Sequence, residues 1–297
     1  MDNKFNILDL SKEDEHKTLE YWTPERRAKA QPIQPPLVKE VSKHESQIMF
    51  KDHENIIIPG KGPKEAQSKT FFGEPFEPNV NEHPYHCGGK LFFKEVRDDG
   101  TTQDYVGSAQ FVGHCSVILT AAHCVRNSEN GKYYTDFVFS RGHIEGKQGE
   151  DFTFLRVGTH DKFVGSSGNY RRSLDYAFAF TNKPFDFWLG LQAGNPHNEF
   201  QSIGYPENYG ENKKMFAVNG QKGVVKDNVV EMIGNPFKHG DSGGAWIVKI
   251  NKDGGGLNNL AVGLNGGSDD KKNKYSPFFY HVDTMDLFYR IMDRQTC

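Results

Sequence analysis

From about residue 71 onward the chain is written in short apolar runs separated by glycine, aspartate, asparagine and proline. Lys90-Leu91-Phe92-Phe93-Lys94-Glu95-Val96 and the stretch Tyr105 to Val112 flank Asp98-Asp99-Gly100, the pattern of a β-hairpin. Cys115 to Thr120 is a continuous apolar strand, Phe152 to Val157 alternates, and Tyr176 to Phe180 is apolar again. A second series of strands is predicted at 201–206, 223–225, 229–233, 245–248, 260–264 and 278–280. At the end the period changes. Met285, Phe288, Tyr289 and Met292 recur at i, i+3, i+4 and i+7, predicting a helix over about 283–294 with Asp283 or Thr284 available as N-cap. No repeat of solenoid period is visible. Many short strands followed by one helix define an all-β fold.

Residues 1 to about 70 read differently. They are charge-rich around Ser11 to Glu15 and Glu25-Arg26-Arg27, then punctuated by Pro32, Pro35 and Pro36. A pro-segment and a flexible extension are both compatible with this composition. The run Ile56-Ile57-Ile58-Pro59 is readable as a new N-terminus made by processing or as a short strand.

Composition narrows the class. The 297 residues suffice for two barrels of about 100 residues each, and 31 glycines with 14 prolines suit a turn-rich β protein. A formal net charge of −3 gives no bias toward nucleic acid or an anionic membrane. No apolar run has the length needed to span a bilayer. Met1 to Phe5 is polar and lacks the apolar core of a secretory signal. His83, His86 and Cys87 lie close together, but no second half with zinc spacing follows, so they read as ordinary loop residues and no metal is expected.

The chemistry lies in Thr120-Ala121-Ala122-His123-Cys124, in Asp175 ahead of Tyr176 to Phe180, and in Gly240-Asp241-Ser242-Gly243-Gly244. A serine hydroxyl is a weak nucleophile until a base takes its proton, and that base must be held in one tautomer. His123 supplies the base, Asp175 the orienting carboxylate and Ser242 the nucleophile. Asp161, among polar residues, is the weaker candidate for the acid. Gly240 lets its own N–H and that of Ser242 converge as an oxyanion hole.

These motifs, in the order His…Asp…Ser, resemble the chymotrypsin-like serine peptidases, with features of the trypsin and glutamyl endopeptidase branches. The resemblance implies two six-stranded antiparallel β-barrels, about 71–195 and 196–282, with the C-terminal helix packed on the second. It implies a secreted, monomeric endopeptidase that cleaves protein or peptide substrates through an acyl-enzyme, without a cofactor; the other reading is a catalytically silent homologue acting as a binding module. It also implies that a freshly cut α-amino group pairs with Asp241. The substrate pocket would be built from Pro236, Phe237, Lys238 and His239, from Asn265, Gly266 and Gly267, and from Phe278. Pro236 stands where trypsin-like members carry an acid, so cleavage after Lys or Arg is not expected. Asn265 replaces the carboxylate-binding histidine of the glutamyl branch, and Phe278 would make the pocket shallow.

The family's usual partner position for the cysteine after the catalytic histidine is here Ser108. Cys87 and Cys115 flank the predicted hairpin and are the favoured pair; a reduced set of thiols is the other reading.

Overall fold

A computed structural model describes residues 4–35, 55–62, 72–147, 149–269, 272–292 and 297. The strand Gly88–Val96 shows why its sequence does not alternate. Leu91 and Phe93 enter the main core, whereas Phe92 points the other way and is also fully buried, under Trp22. Successive residues of a strand face opposite sides, so an unbroken apolar run means cover on both.

Gly88–Val96 pairs with Thr102–Phe111 across a turn at Gly100, whose φ is +81°. Six strands then close on themselves: Glu150–His160, Thr135–Arg141, Gly88–Val96, Thr102–Phe111, Val117–Thr120 and Ala177–Thr181, the last returning to the first. This is a closed antiparallel barrel, in which no edge is left unpaired.

The second sheet is broader than the six strands expected. It follows a nine-strand path from Gly267–Ser268 through Asn273–Pro277, Val229–Ile233, Phe216–Lys226, Glu199–Gly204, Ala245–Val248, Leu260–Leu264 and Gly190–Ala193 to Ile56–Ile58. Gly190–Ala193 therefore belongs to this sheet, and Ile56–Ile58 is an edge strand paired to it antiparallel. Phe200, Val218, Phe237, Trp246 and Phe278 pack together inside the sheet.

Residues 4–35, the first described stretch of the N-terminal 70, are built onto the first barrel. Phe5–Asp9 adds antiparallel to Glu150–His160, and Gln31–Pro32 adds parallel to Thr102–Phe111. Between them the helices Glu15–Tyr21 and Pro24–Lys29 are N-capped by Asp14 and Thr23. Trp22 sinks onto Phe92, Val106 and Val138 and donates its indole N–H to the Asp136 carbonyl at 2.6 Å. Arg27 grips Asp151 with two nitrogens, at 3.0 and 2.6 Å. Positions 1–3, 36–54 and 63–70 of the expected extension lie outside the described residues.

Two further expectations are corrected. The C-terminal helix is His281–Ile291, capped by backbone at Tyr280 rather than by Asp283 or Thr284, and it packs on the first barrel. Leu287 and Ile291 lie against Gly158, and the ring of Phe288 meets Phe178 edge-on; Tyr289 is exposed. The disulfide joins Cys115 to Cys297, not to Cys87. That bond ties the end of the chain to the start of the strand leading to His123. Cys87 and Cys124 are free and buried. Among the described residues no helix is long and apolar enough to cross a membrane.

Candidate active site

The strand Val117–Thr120 ends in a single 3-10 turn, Ala122–Cys124, which places His123 at the barrel's end. The turn Gly168–Ser173 delivers Asp175 just before the strand Ala177–Thr181, the hydrogen-bonded neighbour of Val117–Thr120. His123 and Asp175 therefore meet because two adjacent strands end together. Asp175 Oδ2 lies 2.7 Å from His123 Nδ1, and Oδ1 accepts the backbone N–H of His123 at 2.9 Å. Both residues are buried. Asp161 is exposed and opens a separate one-turn helix.

Burial alone would pull the His123 pKa down. The Asp175 carboxylate, with Cys124 adding to it, overrides that effect, and the ring's pKa is raised. His123 Nε2 is buried with no hydrogen-bond partner among the described residues.

The loop bearing Ser242 is pressed against this turn. A Cβ on Gly243, whose φ is +87°, would lie 2.3 Å from Thr120 Oγ1 and 2.8 Å from Ala121 N. Gly240, at φ +93°, is likewise forced to be glycine, since a Cβ there would meet the Asn212 side chain and the Tyr205 carbonyl. Among the described residues, neither the Gly240 N–H nor the Ser242 N–H donates to a protein acceptor. Gly243 and Gly244 donate to the Asn265 and Asp241 carbonyls.

Sequence reasoning missed what holds this loop. Ser108 occupies the position of the family's usual cysteine. It donates its N–H to the Ser242 carbonyl at 2.8 Å and its hydroxyl to the Gly240 carbonyl at 2.9 Å, while accepting from Tyr205 N at 3.0 Å. Two residues on, Gln110 donates to the Gly243 carbonyl and accepts from Ala245 N. Alternate residues of one barrel strand thus stitch the nucleophile loop to the first barrel, with the free Cys124 Sγ 3.7 Å from the Ser242 carbonyl. Ser108→Ala is expected to cost about 1–3 kcal/mol, because two buried backbone groups lose their partner. Urea denaturation measures this, and an unchanged midpoint would remove Ser108 from that role.

Asp241 is paired within the chain. Lys274 Nζ lies 2.9 Å from its Oδ1 and 2.8 Å from Oδ2, and both side chains are almost wholly buried. Burial lifts the Asp241 pKa, and Lys274 opposes that rise. A cation already occupies the place expected for a new α-amino group, and Ile56 lies instead in an edge strand.

The pocket residues are only partly brought together. Asn265 is consumed by the scaffold: its Oδ1 accepts from Ser202 Oγ and Trp246 Nε1, and its Nδ2 donates to the Ile203 and Asp241 carbonyls. Phe278 packs in the core of the second sheet with Trp246 and Phe237. Pro236 and His239 are half-buried and Lys238 is exposed. Gly266 runs beside Asp175, where a Cβ would stand 3.4 Å from Oδ2, and Gly267 lies near Arg172.

Neither a protein-family model nor a curated protein sequence matches the chain. Solved structures do match in shape. The protease Anisep from Arthrobacter nicotinovorans aligns with a TM-score of 0.60 at 20% identity, over 73% of this chain and 99% of its own. A thermostable serine protease from an extremophilic microorganism gives 0.56 at 19%, over 69% and 96%. A Glu endopeptidase gives 0.57 at 14%, over 74% and 98%. At these identities the likeness is one of fold: the chain has the fold of the chymotrypsin-like serine peptidases.

Proposed function

We propose that the chain is a serine endopeptidase working through an acyl-enzyme, with Ser242 as nucleophile, His123 as general base and Asp175 as its orienting acid. The observation that carries this reading is the buried His123–Asp175 pair with Nε2 left unpartnered, in a turn packed against a Ser242 loop that offers two free amides. Ser242 Oγ attacks the scissile carbonyl as His123 takes its proton. The Gly240 and Ser242 N–H groups receive the developing oxyanion, and His123 returns the proton to the leaving amine. Water then repeats the sequence on the ester.

Three solved structures of the same fold are proteases by description, which supports the reading. The Cys115–Cys297 disulfide supports an oxidising compartment outside the cytoplasm. With Pro236 before the nucleophile loop in place of an acid, a Lys or Arg side chain of the substrate finds no partner there.

A fluorophosphonate probe should label the wild-type chain and not Ser242→Ala. Because only the uncharged His123 accepts a proton and its pKa is raised, labelling should accelerate as pH rises through values above the ordinary histidine range of about 6.5. No labelling of the folded wild-type chain refutes the assignment; a rate flat between about pH 5 and 10 refutes His123 as the base.

A further inference from the structure

Away from the His123–Asp175 pair, at the foot of the strand Gly88–Val96, three side chains converge that the peptidase reading does not use. His83, His86 and Cys87 come from a tight loop ending in the 3-10 turn Tyr85–Cys87, and all three are buried, at 2%, 8% and 0% exposure. His83 Nδ1 lies 3.1 Å from His86 Nε2, and Cys87 Sγ lies 3.6 Å from His83 Nδ1. The donor atoms of all three residues fall within 4.8 Å of one another.

These spacings fit coordination. With metal–nitrogen bonds of about 2.0–2.1 Å and a metal–sulfur bond of about 2.3 Å, a tetrahedral ion sets nitrogen–nitrogen edges near 3.3 Å and nitrogen–sulfur edges near 3.6 Å. Backbone carbonyls act on the other sides of the rings. Asn81 offers one to His86, and Gly254 offers one beside His83 Nε2, short of a well-aligned hydrogen bond. The inner nitrogens His83 Nδ1 and His86 Nε2 face each other, and with both rings protonated on the outer nitrogen their lone pairs would meet on one ion, as in ligating histidines.

Arg141 donates to the His86 carbonyl at 3.1 Å, bringing a positive charge to the edge of the site. A bound cation stabilises the Cys87 thiolate. The walls are apolar, with Phe185 and Phe187 against the His86 ring. The other sulfur-bearing trio, His114 with Cys115 and Cys297, has both sulfurs committed to the disulfide.

We propose that His83 Nδ1, His86 Nε2 and Cys87 Sγ form a binding site for one zinc-class divalent ion, with the fourth position left to a non-protein donor. His83 lies against the Gly254 carbonyl and the segment at Gly62, whereas His86 sits on Phe185, whose ring packs on Phe111 and Phe152 of the first barrel. The ion would clamp the two halves of the molecule together at a point distinct from the peptidase centre.

The test uses the full chain with its disulfide intact, stripped by a chelator and dialysed. Wild type should take up one Zn²⁺ per chain. With Co²⁺ it should show a thiolate-to-cobalt charge-transfer band and tetrahedral d–d absorption. Cys87→Ser should remove the charge-transfer band, and His86→Gln should weaken uptake by about a hundredfold or more, at least the loss typical of an outer-shell change. Cys124→Ser, at the other free thiol, should leave the band in place. The proposal is overturned if the folded wild-type chain takes up neither ion stoichiometrically, or if the band follows Cys124 instead of Cys87. Should the variants fail to fold, the wild-type cobalt spectrum alone decides: thiolate ligation supports the site, and octahedral or absent cobalt refutes it.

Discussion

Replacing Asp175 by Asn is expected to lower turnover about ten-thousandfold while leaving the fold in place. Both carboxylate oxygens are in use, one on His123 Nδ1 and the other on the His123 backbone N–H. An amide offers a single acceptor. If its oxygen keeps the backbone bond, its NH2 faces Nδ1 and drives the ring proton to Nε2, where the base must be free to accept. Steady-state kinetics on a peptide substrate measures the loss in kcat, and a circular dichroism spectrum checks the fold. Asp161→Asn is the control, because Asp161 is exposed on a separate turn. A loss confined to Asp161→Asn would mean that the acid has been misassigned.

The second large effect concerns stability. Lys274→Met should destabilise the chain by about 3–5 kcal/mol, since it strands the Asp241 carboxylate in a site with almost no access to water. Asp241 lies between the two residues whose amides would form the oxyanion hole, so fluorophosphonate labelling should slow as well. Adding Asp241→Asn to Lys274→Met should recover much of the stability, because the uncompensated charge is gone. Chemical denaturation of the single and double variants separates the cases. A single variant within about 1 kcal/mol of wild type would show that the pair does not hold this loop.

How much of this was legible in the sequence depended on how local each signal is. His123, Asp175 and Ser242 stood out because each sits in a short motif, and strand termination alone brings the first two together. Gly240 was readable for the same reason, since the backbone conformation it must adopt leaves few other residues. Ser108 and Lys274 gave no local signal. Each is one polar residue in a strand, and its role exists only because chain more than 30 residues away lies against it. The N-terminal strand Phe5–Asp9 was hidden likewise, as its partner lies some 150 residues on. Yet one clue was present: the unbroken Leu91-Phe92-Phe93 implied a second covering layer. The four hydrogen bonds of Asn265 and the core packing of Phe278 were equally illegible, because their partners lie on other strands of the second sheet.

The bond between Cys115 and Cys297 has a topological consequence. His123, Asp175 and Ser242 all lie within the covalent ring it closes. A single backbone cut anywhere inside that ring opens it without releasing a fragment, so the three groups stay on one molecule. For a chain that would live among peptidases, including copies of itself, a nick in an exposed turn becomes a change of connectivity, not the loss of half a site.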